Sequence, residues 1–243
     1  MNFLTAQWKN LILANYIVHS DTLQKYLPAG TELDYFNGNC YVSLVGFLFQ
    51  DTKVLGLKIP NHINFEEVNL RFYVKHFENG EWKRGVVFIK EIVPKSAITF
   101  VANTLYKEHY ETQTMNHNVK LKAEILNVSY QWNQNDEINY IEVNAYDFLS
   151  PLDPNSEAEF IMEHYYGYTK YTKNTTYEYE VQHPKWEQYS IKNYSIEVDF
   201  EKNYGRDFAF LNSTKPSSVF LANGSEITVK NKRKISIYDT LQL

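Results

Sequence analysis

Residues Phe65–Val93 read FEEVNLRFYVKHFENGEWKRGVVFIKEIV, and they carry the best local signal of secondary structure in the sequence. Two runs rich in aromatic and β-branched residues, Phe65–Phe77 and Trp82–Val93, lie on either side of Asn79-Gly80. An Asn-Gly pair between two such runs favours the type I′ turn, whose twist matches that of the strands it joins. The stretch therefore predicts an antiparallel β-hairpin.

Strand signals continue on both sides of the hairpin. Before it, Cys40–Phe49 is almost entirely apolar, which is typical of a strand covered on both faces. After it, Val119–Ile125 alternates between apolar and charged residues, as a half-buried strand does. Helical signals are few: Lys95–Tyr106 has helical spacing, and Ser156–Glu159 has the pattern of a capping box before a second helix. We expect a mainly β protein of the α+β class.

The amino-acid composition limits the kind of protein and the partners that we expect. The chain has 243 residues, of which 44% are hydrophobic and 22% charged, so we expect one globular domain over residues 1–243. A net charge of −5 would repel a phosphate backbone, and nucleic acid is therefore not an expected partner. The sequence contains no apolar run of the roughly 20 residues that a membrane helix needs. Cys40 is the only cysteine, which favours a reducing compartment and a cytoplasmic location.

Sequence motifs for common cofactors and metals are absent. The chain has no Gly-x-Ser-x-Gly elbow, no His-Glu-x-x-His and no phosphate-binding glycine-rich loop. Its seven histidines are scattered without metal-ligand spacing. We expect neither a metal nor a cofactor.

The turn at Asn79-Gly80 sets the register of the hairpin. If the register stays uniform, the numbers of two opposed residues sum to about 159, and Glu91 lies opposite Val68 on an otherwise apolar face. Burial would raise the pKa of such a carboxyl, which suits a general acid or base. Glu91 is therefore the candidate catalytic residue, although a carboxylate here could also simply end the strand.

The other face of the same hairpin is polar. The uniform register puts Asn69 opposite Lys90, with Glu67 and Arg71 diagonal to that lysine. Tyr73 continues the same face. The patch could bind a ligand, or it could be solvated charge on the outside of a sheet. In this register the patch and Glu91 point to opposite sides, so they could not line one pocket.

Several segments resemble the YqjF-like family, a domain of unknown function whose fold is grouped with acetoacetate decarboxylase. The resemblance is carried by Trp8–Leu11, Tyr26–Thr31, Tyr41–Phe47 and, most specifically, Glu67–Val74 (EVNLRFYV). It implies a twisted antiparallel sheet that closes into a cone or barrel, with a few flanking helices and an interior cavity for a small molecule.

The chain also departs from the family pattern. Where the family strand commonly ends in Ser-Leu-Asp, this chain has Lys90-Glu91-Ile92, and of the family's Gly-Leu-Pro-Tyr only Tyr110 is retained. Acetoacetate decarboxylase forms a Schiff base through a lysine of a Pro-Lys-Lys sequence, but this chain has no adjacent lysine pair. We therefore expect no decarboxylation by that route.

Three functions remain open at this point. The first is a barrel that binds a small organic acid or carbonyl compound, in which Arg71 anchors the ligand. The second is an enzyme that uses Glu91 as a general acid or base on a small keto or carboxylic acid. The third is a ligand-free structural domain whose aromatic residues form a homo-oligomer interface. The candidate substrate-binding residues are Glu67, Asn69, Arg71, Tyr73, Lys90 and Tyr110.

Overall fold

The structure is a computed structural model that describes residues 2–236, apart from the side chains of residues 105 and 106. Most of these residues lie in strands, as the sequence predicts. The strands are β1 (Asn2–Val18), β2 (Glu32–Leu33), β3 (Cys40–Val54), β4 (Phe65–Glu78), β5 (Glu81–Val93), β6 (Tyr110–Thr112), β7 (Met115–Lys122), β8 (Ile125–Gln134), β9 (Glu137–Pro151), β10 (Tyr166–Lys170), β11 (Thr175–Gln182), β12 (Glu187–Glu197), β13 (Ser218–Lys230) and β14 (Arg233–Ser236). The helices are short: α1 (Ser20–Gln24), α2 (Ser96–Val101), α3 (Glu157–Met162) and α4 (Phe200–Tyr204), with a π-helical turn at Ala102–Tyr106 and a 3-10 segment at Arg206–Ser213. No helix within residues 2–236 is long and apolar enough to cross a membrane.

Seven strands form a closed ring. Their order is β11-β10-β5-β4-β3-β1-β13, and pairing of β11 with β13 closes it, for example at Val181 and Val229. The sheet is mixed rather than wholly antiparallel, because β10 and β6 both run parallel to β5. Strands β12, β9, β8 and β7 continue the sheet beyond β13. The result is a strongly curved sheet with an inside and an outside.

The two sides of the ring have separate cores, and β3 contributes to both. Its residues Leu44 and Leu48 pack outward with apolar residues of β8 and β9, whereas Val45 and Phe47 pack inside the ring. This confirms the prediction from the apolar run Cys40–Phe49. Helix α3 also belongs to the inner core through Phe160 and its neighbours.

One predicted helix start is confirmed, whereas one predicted strand is wrong. The Ser156 side chain does cap α3, since its Oγ accepts a hydrogen bond from the N–H of Glu159 at 3.1 Å. The predicted strand Val119–Ile125 is instead the end of β7 and the start of β8. A tight turn separates these strands at Ala123 and Glu124, where φ is +47° and +61°. No sign of this turn is visible in the sequence. The alternation of apolar and charged residues continues through it, and neither Ala nor Glu is a usual turn residue.

The central hairpin contains a β-bulge. Asn79 and Gly80 have φ of +53° and +84°, as a type I′ turn requires, and the predicted pairing holds from the turn to Arg71, which lies opposite Phe88. There the register shifts by one residue, and Leu70 pairs with Lys90. Ile89 is the additional residue of the bulge.

The shift changes which residues share a face. Beyond the bulge, Glu91 lies opposite Asn69, and Ile92, rather than Glu91, lies opposite Val68. The prediction that Glu91 and the polar face of β4 point to opposite sides is therefore wrong. Both point into the ring.

Candidate functional site

A cavity of about 340 Å³ lies inside the ring. Most of its wall is apolar and comes from the inner faces of the ring strands and from α2. The apolar and aromatic lining includes Trp8, Leu11, Val45, Phe47, Phe65, Val86, Phe88, Ile98, Val181 and Trp186. A few polar side chains interrupt this apolar wall.

The largest polar group of residues comes from the central hairpin. Glu67, Asn69 and Arg71 alternate along β4, so all three point inward, and Glu91 joins them from β5 because of the bulge. Their exposure ranges from 1% for Asn69 to 8% for Arg71. Together with Tyr110 of β6, four of the six predicted binding residues thus line one cavity with the predicted catalytic residue Glu91.

Glu67 is held by two hydrogen bonds. Asn69 Nδ2 donates to Glu67 Oε1 at 2.9 Å, and the Tyr110 hydroxyl donates to Oε2 at 3.2 Å. Burial raises the pKa of Glu67 to about 7, although both hydrogen bonds and the Arg71 guanidinium act in the opposite direction. Near neutral pH this carboxyl therefore exists in both protonation states.

Glu91 is the most strongly perturbed carboxyl. Burial, together with the charges of Glu108 and Glu67, raises its pKa well above the usual 4.5. Its Oε2 is buried and has no hydrogen-bond partner among residues 2–236. Strand β6 runs beside it and supplies Tyr110, whose pKa is also raised well above its usual value, first by burial and then by Glu67. The raised pKa favours the protonated form of Glu91.

Glu108 completes a trio of buried carboxyls. The Thr169 hydroxyl donates to its Oε1, and burial raises the pKa of Glu108 to about 7. Gly167 makes room for the Tyr179 ring on this wall, since a Cβ at Gly167 would lie 2.1 Å from Tyr179 Cζ. Despite the three carboxyls, no group of three or more His, Cys, Asp or Glu among the described residues could hold a metal ion.

Arg71 is the one lysine or arginine among the described residues that line the cavity. Its guanidinium makes no hydrogen bond or ion pair with the described part of the chain, and its Nε is buried without a partner. It lies over the Tyr73 ring, with 5.7 Å between the guanidinium carbon and the ring centroid. An unpaired buried cation inside a largely apolar cavity is a binding feature for an anion.

Two predicted binding residues lie outside the cavity wall. Lys90 sits on the outer side of the hairpin next to the bulge, and its Nζ donates to Glu111 Oε2 at 2.6 Å. The expected contact of Lys90 with the Glu67 patch depended on the uniform register and is wrong. Tyr73 lies behind the cavity wall, and its hydroxyl is 2.6 Å from Ser43 Oγ.

Sequence reasoning missed Glu108 and His164 as cavity residues. Both lie in short segments just before a strand, where neither periodicity nor register predicts the direction of a side chain. The available signal for Glu108 was the family resemblance, because it pointed to Tyr110, two residues further along the chain.

Comparisons with known proteins agree with the fold and the family. YqjF of Bacillus subtilis (strain 168), an uncharacterized protein, is 24% identical over 180 residues, which are 74% of this chain and 72% of YqjF. Acetoacetate decarboxylase from Legionella pneumophila superposes with a TM-score of 0.65 at 12% identity, over 96% of this chain and 87% of that chain. The enduracididine biosynthesis enzyme MppR, complexed with pyruvate, gives a TM-score of 0.66 at 13% identity, over 98% of this chain and 92% of that chain.

These structural similarities confirm the acetoacetate decarboxylase-like fold that the sequence predicts. The profile of the DUF2071 family, described as "Uncharacterized conserved protein", matches residues 5–226. Since this match covers most of the sequence, the chain belongs to the DUF2071 family.

Proposed function

We propose that the protein binds a small organic acid or carbonyl compound inside the ring, with Arg71 holding the ligand carboxylate. The observation that carries this proposal is the buried guanidinium of Arg71 in the cavity wall, which makes no hydrogen bond or ion pair with any described residue. Burying a cation without a partner is costly, and a carboxylate matches the planar fork of arginine with two parallel hydrogen bonds. A bound carboxylate would therefore complete the site.

The three carboxyls of the cavity are compatible with an anionic ligand. The pKa values of Glu67 and Glu108 are raised to about 7 by burial, and burial also raises that of Glu91 well above its usual value. In their protonated forms these groups donate hydrogen bonds to ligand oxygens instead of repelling them. The cavity volume of about 340 Å³ is at the lower end of the range for small-molecule sites. Pyruvate, bound by the similarly folded MppR, is of suitable size and charge.

A second candidate function is catalysis by Glu91. It is favoured by the Oε2 of this residue, which has no hydrogen-bond partner among residues 2–236, and by its raised pKa. A protonated Glu91 can donate its proton to the carbonyl oxygen of a bound keto acid while the ionised form of Glu67 accepts a proton from the neighbouring carbon, which gives the enol. No lysine lines the cavity among the described residues, so we propose that this chemistry proceeds without a Schiff base. Exchange of the pyruvate methyl protons in D₂O, followed by NMR, tests it: exchange above the buffer rate should be lost in Glu91→Gln.

The domain organisation, the cellular location and the absence of a nucleic-acid partner are also proposals. We infer that residues 1–243 act as one cytoplasmic domain without a nucleic-acid partner. The lone Cys40 and the net charge of −5 support this.

Binding is tested by calorimetry with a panel of small mono- and keto acids that includes pyruvate and acetoacetate. Losing one partner of a buried charge pair costs about 2–5 kcal/mol, so Arg71→Met should weaken binding by at least about 30-fold. Lys90→Met is the matched control, since it removes a cation from the outer side of the same hairpin, and it should bind as the wild type does. The proposal fails if no acid binds, or if Arg71→Met binds as tightly as Lys90→Met.

A further inference from the structure

A second polar feature of the cavity is a histidine held by a carboxylate. His164 lies between α3 and β10, lines the cavity, and is 1% exposed in its side chain. Its Nε2 lies 3.2 Å from Asp34 Oδ2. The same oxygen accepts a hydrogen bond from Arg84 Nε at 2.6 Å, which fixes the carboxylate in place.

The charges of this pair set the tautomer of His164. Burial, and to a lesser degree Arg84 and Arg71, lower the pKa of His164 to about 4, so the ring is neutral at neutral pH. Burial acts to raise the pKa of Asp34, but hydrogen bonds from His164 and Arg84 outweigh it and the pKa is lowered. Asp34 is therefore ionised and can only accept, and the histidine proton must be on Nε2.

The other ring nitrogen is then a lone-pair acceptor. His164 Nδ1 is buried and has no hydrogen-bond partner among the described residues. The ring is packed against Tyr73 and Phe160, with centroid distances of 4.8 and 5.2 Å, so its orientation is fixed. A fixed, unsatisfied acceptor in a cavity wall calls for a ligand that has a proton donor.

We propose that His164, oriented by Asp34, determines ligand specificity by accepting a hydrogen bond from a ligand hydroxyl, so that the preferred ligands are small hydroxy acids. This inference rests on the proposed function, because Arg71 would hold the carboxylate of the same ligand. An acid without the hydroxyl leaves Nδ1 unpaired, which costs about 1–3 kcal/mol. The expected preference for the hydroxy acid is therefore about 5- to 150-fold.

Matched pairs of acids that differ by one hydroxyl provide the test: lactate against propionate, and 3-hydroxybutyrate against butyrate. Affinities are measured by calorimetry with the wild type and with His164→Phe, which keeps an aromatic ring between Tyr73 and Phe160 but has no acceptor. The wild type should prefer at least one hydroxy acid over its partner. His164→Phe has no acceptor to leave unpaired, so it should lose that preference and bind the two members of each pair with about equal affinity.

The outcomes separate the two proposals. If the wild type binds both members of each pair equally, or if the preference survives in His164→Phe, the role of His164 is refuted and acid binding by Arg71 stands. If no acid binds at all, the proposed function fails and this inference fails with it.

A measurement on the wild type avoids dependence on the variant's folding. Two-bond ¹H–¹⁵N NMR of the imidazole should show the Nε2–H tautomer, and the Nδ1 resonance should move when the hydroxy acid is added but not when its partner is added. A proton on Nδ1 in the free protein would overturn the proposal.

Discussion

The buried carboxyl of Glu108 should make the protein less stable as the pH rises. Its pKa is about 7 in the folded protein, against a usual value of 4.5, because the group is buried. A carboxyl with a raised folded-state pKa contributes its stability fully below the unfolded pKa and loses it as the pH rises through the folded pKa. In that window the unfolded chain has released a proton that the folded protein still holds, and the free energy of unfolding falls by about 1.4 kcal/mol per pH unit.

Glu108→Gln should remove this dependence. A glutamine keeps an acceptor oxygen for the Thr169 hydroxyl but cannot ionise. Integrated between about pH 5 and pH 8, the stability of the variant relative to the wild type should rise by about 2.5 kcal/mol. Urea unfolding followed by tryptophan fluorescence at the two pH values measures it. His164 is present in both the variant and the wild type, so its contribution to the pH dependence of stability cancels in the difference between them.

Glu111→Gln is the control for this experiment. Glu111 is partly exposed and paired with Lys90 outside the cavity. Burial acts to raise its pKa, but the Lys90 interactions outweigh it and the pKa is lowered. Its stabilising contribution is lost only as the pH falls through that lowered pKa, so its effect should differ little between about pH 5 and pH 8. An equal effect of Glu108→Gln at the two pH values would show that the pKa of Glu108 is not raised in the folded protein.

Three further predictions concern the cavity. Binding of an acid should raise the pKa of the neighbouring carboxyls, so affinity should fall as the pH rises through 7, and calorimetry in buffers of different ionisation enthalpy should show proton uptake; zero uptake would contradict this. Gly167→Ala should lower stability by about 1–3 kcal/mol in calorimetric melting, because its Cβ would collide with the Tyr179 ring, and an unchanged melting temperature would argue against this packing. Deletion of Ile89 should cost about 2–4 kcal/mol of stability, because its buried side chain is lost. The same deletion should leave acid affinity within about 3-fold, because Glu91 still faces Asn69; a stable deletion variant that no longer binds would contradict the role of the bulge.

The central hairpin shows which features of the fold the sequence predicts and which it does not. The Asn79-Gly80 turn and the pairing next to it were predicted correctly, because a turn type has a local sequence requirement. The bulge was missed because uniform alternation was assumed across the whole hairpin. A signal was present: the outward apolar residues of β5 are Val87, Ile89 and Ile92, whose spacing changes from two to three at the bulge.

The remainder of the cavity wall depends on chain segments that are distant in sequence. Glu108 approaches through the turn after α2, and His164 through the turn after α3. Their directions follow from how those turns close against the ring, which no local pattern specifies. Asp34 is separated from His164 by most of the chain, so the pair becomes visible only in three dimensions.

If the ring encloses an acid-binding site, Arg71 and Glu91 should act on one ligand. A crystal structure of the protein with the tightest-binding acid of the panel would show this directly. We expect the ligand inside the ring, its carboxylate within about 3.2 Å of the Arg71 guanidinium and a second oxygen within the same distance of Glu91. An acid that binds in solution but lies outside the ring, or inside it without contact to Arg71, would rule out this site.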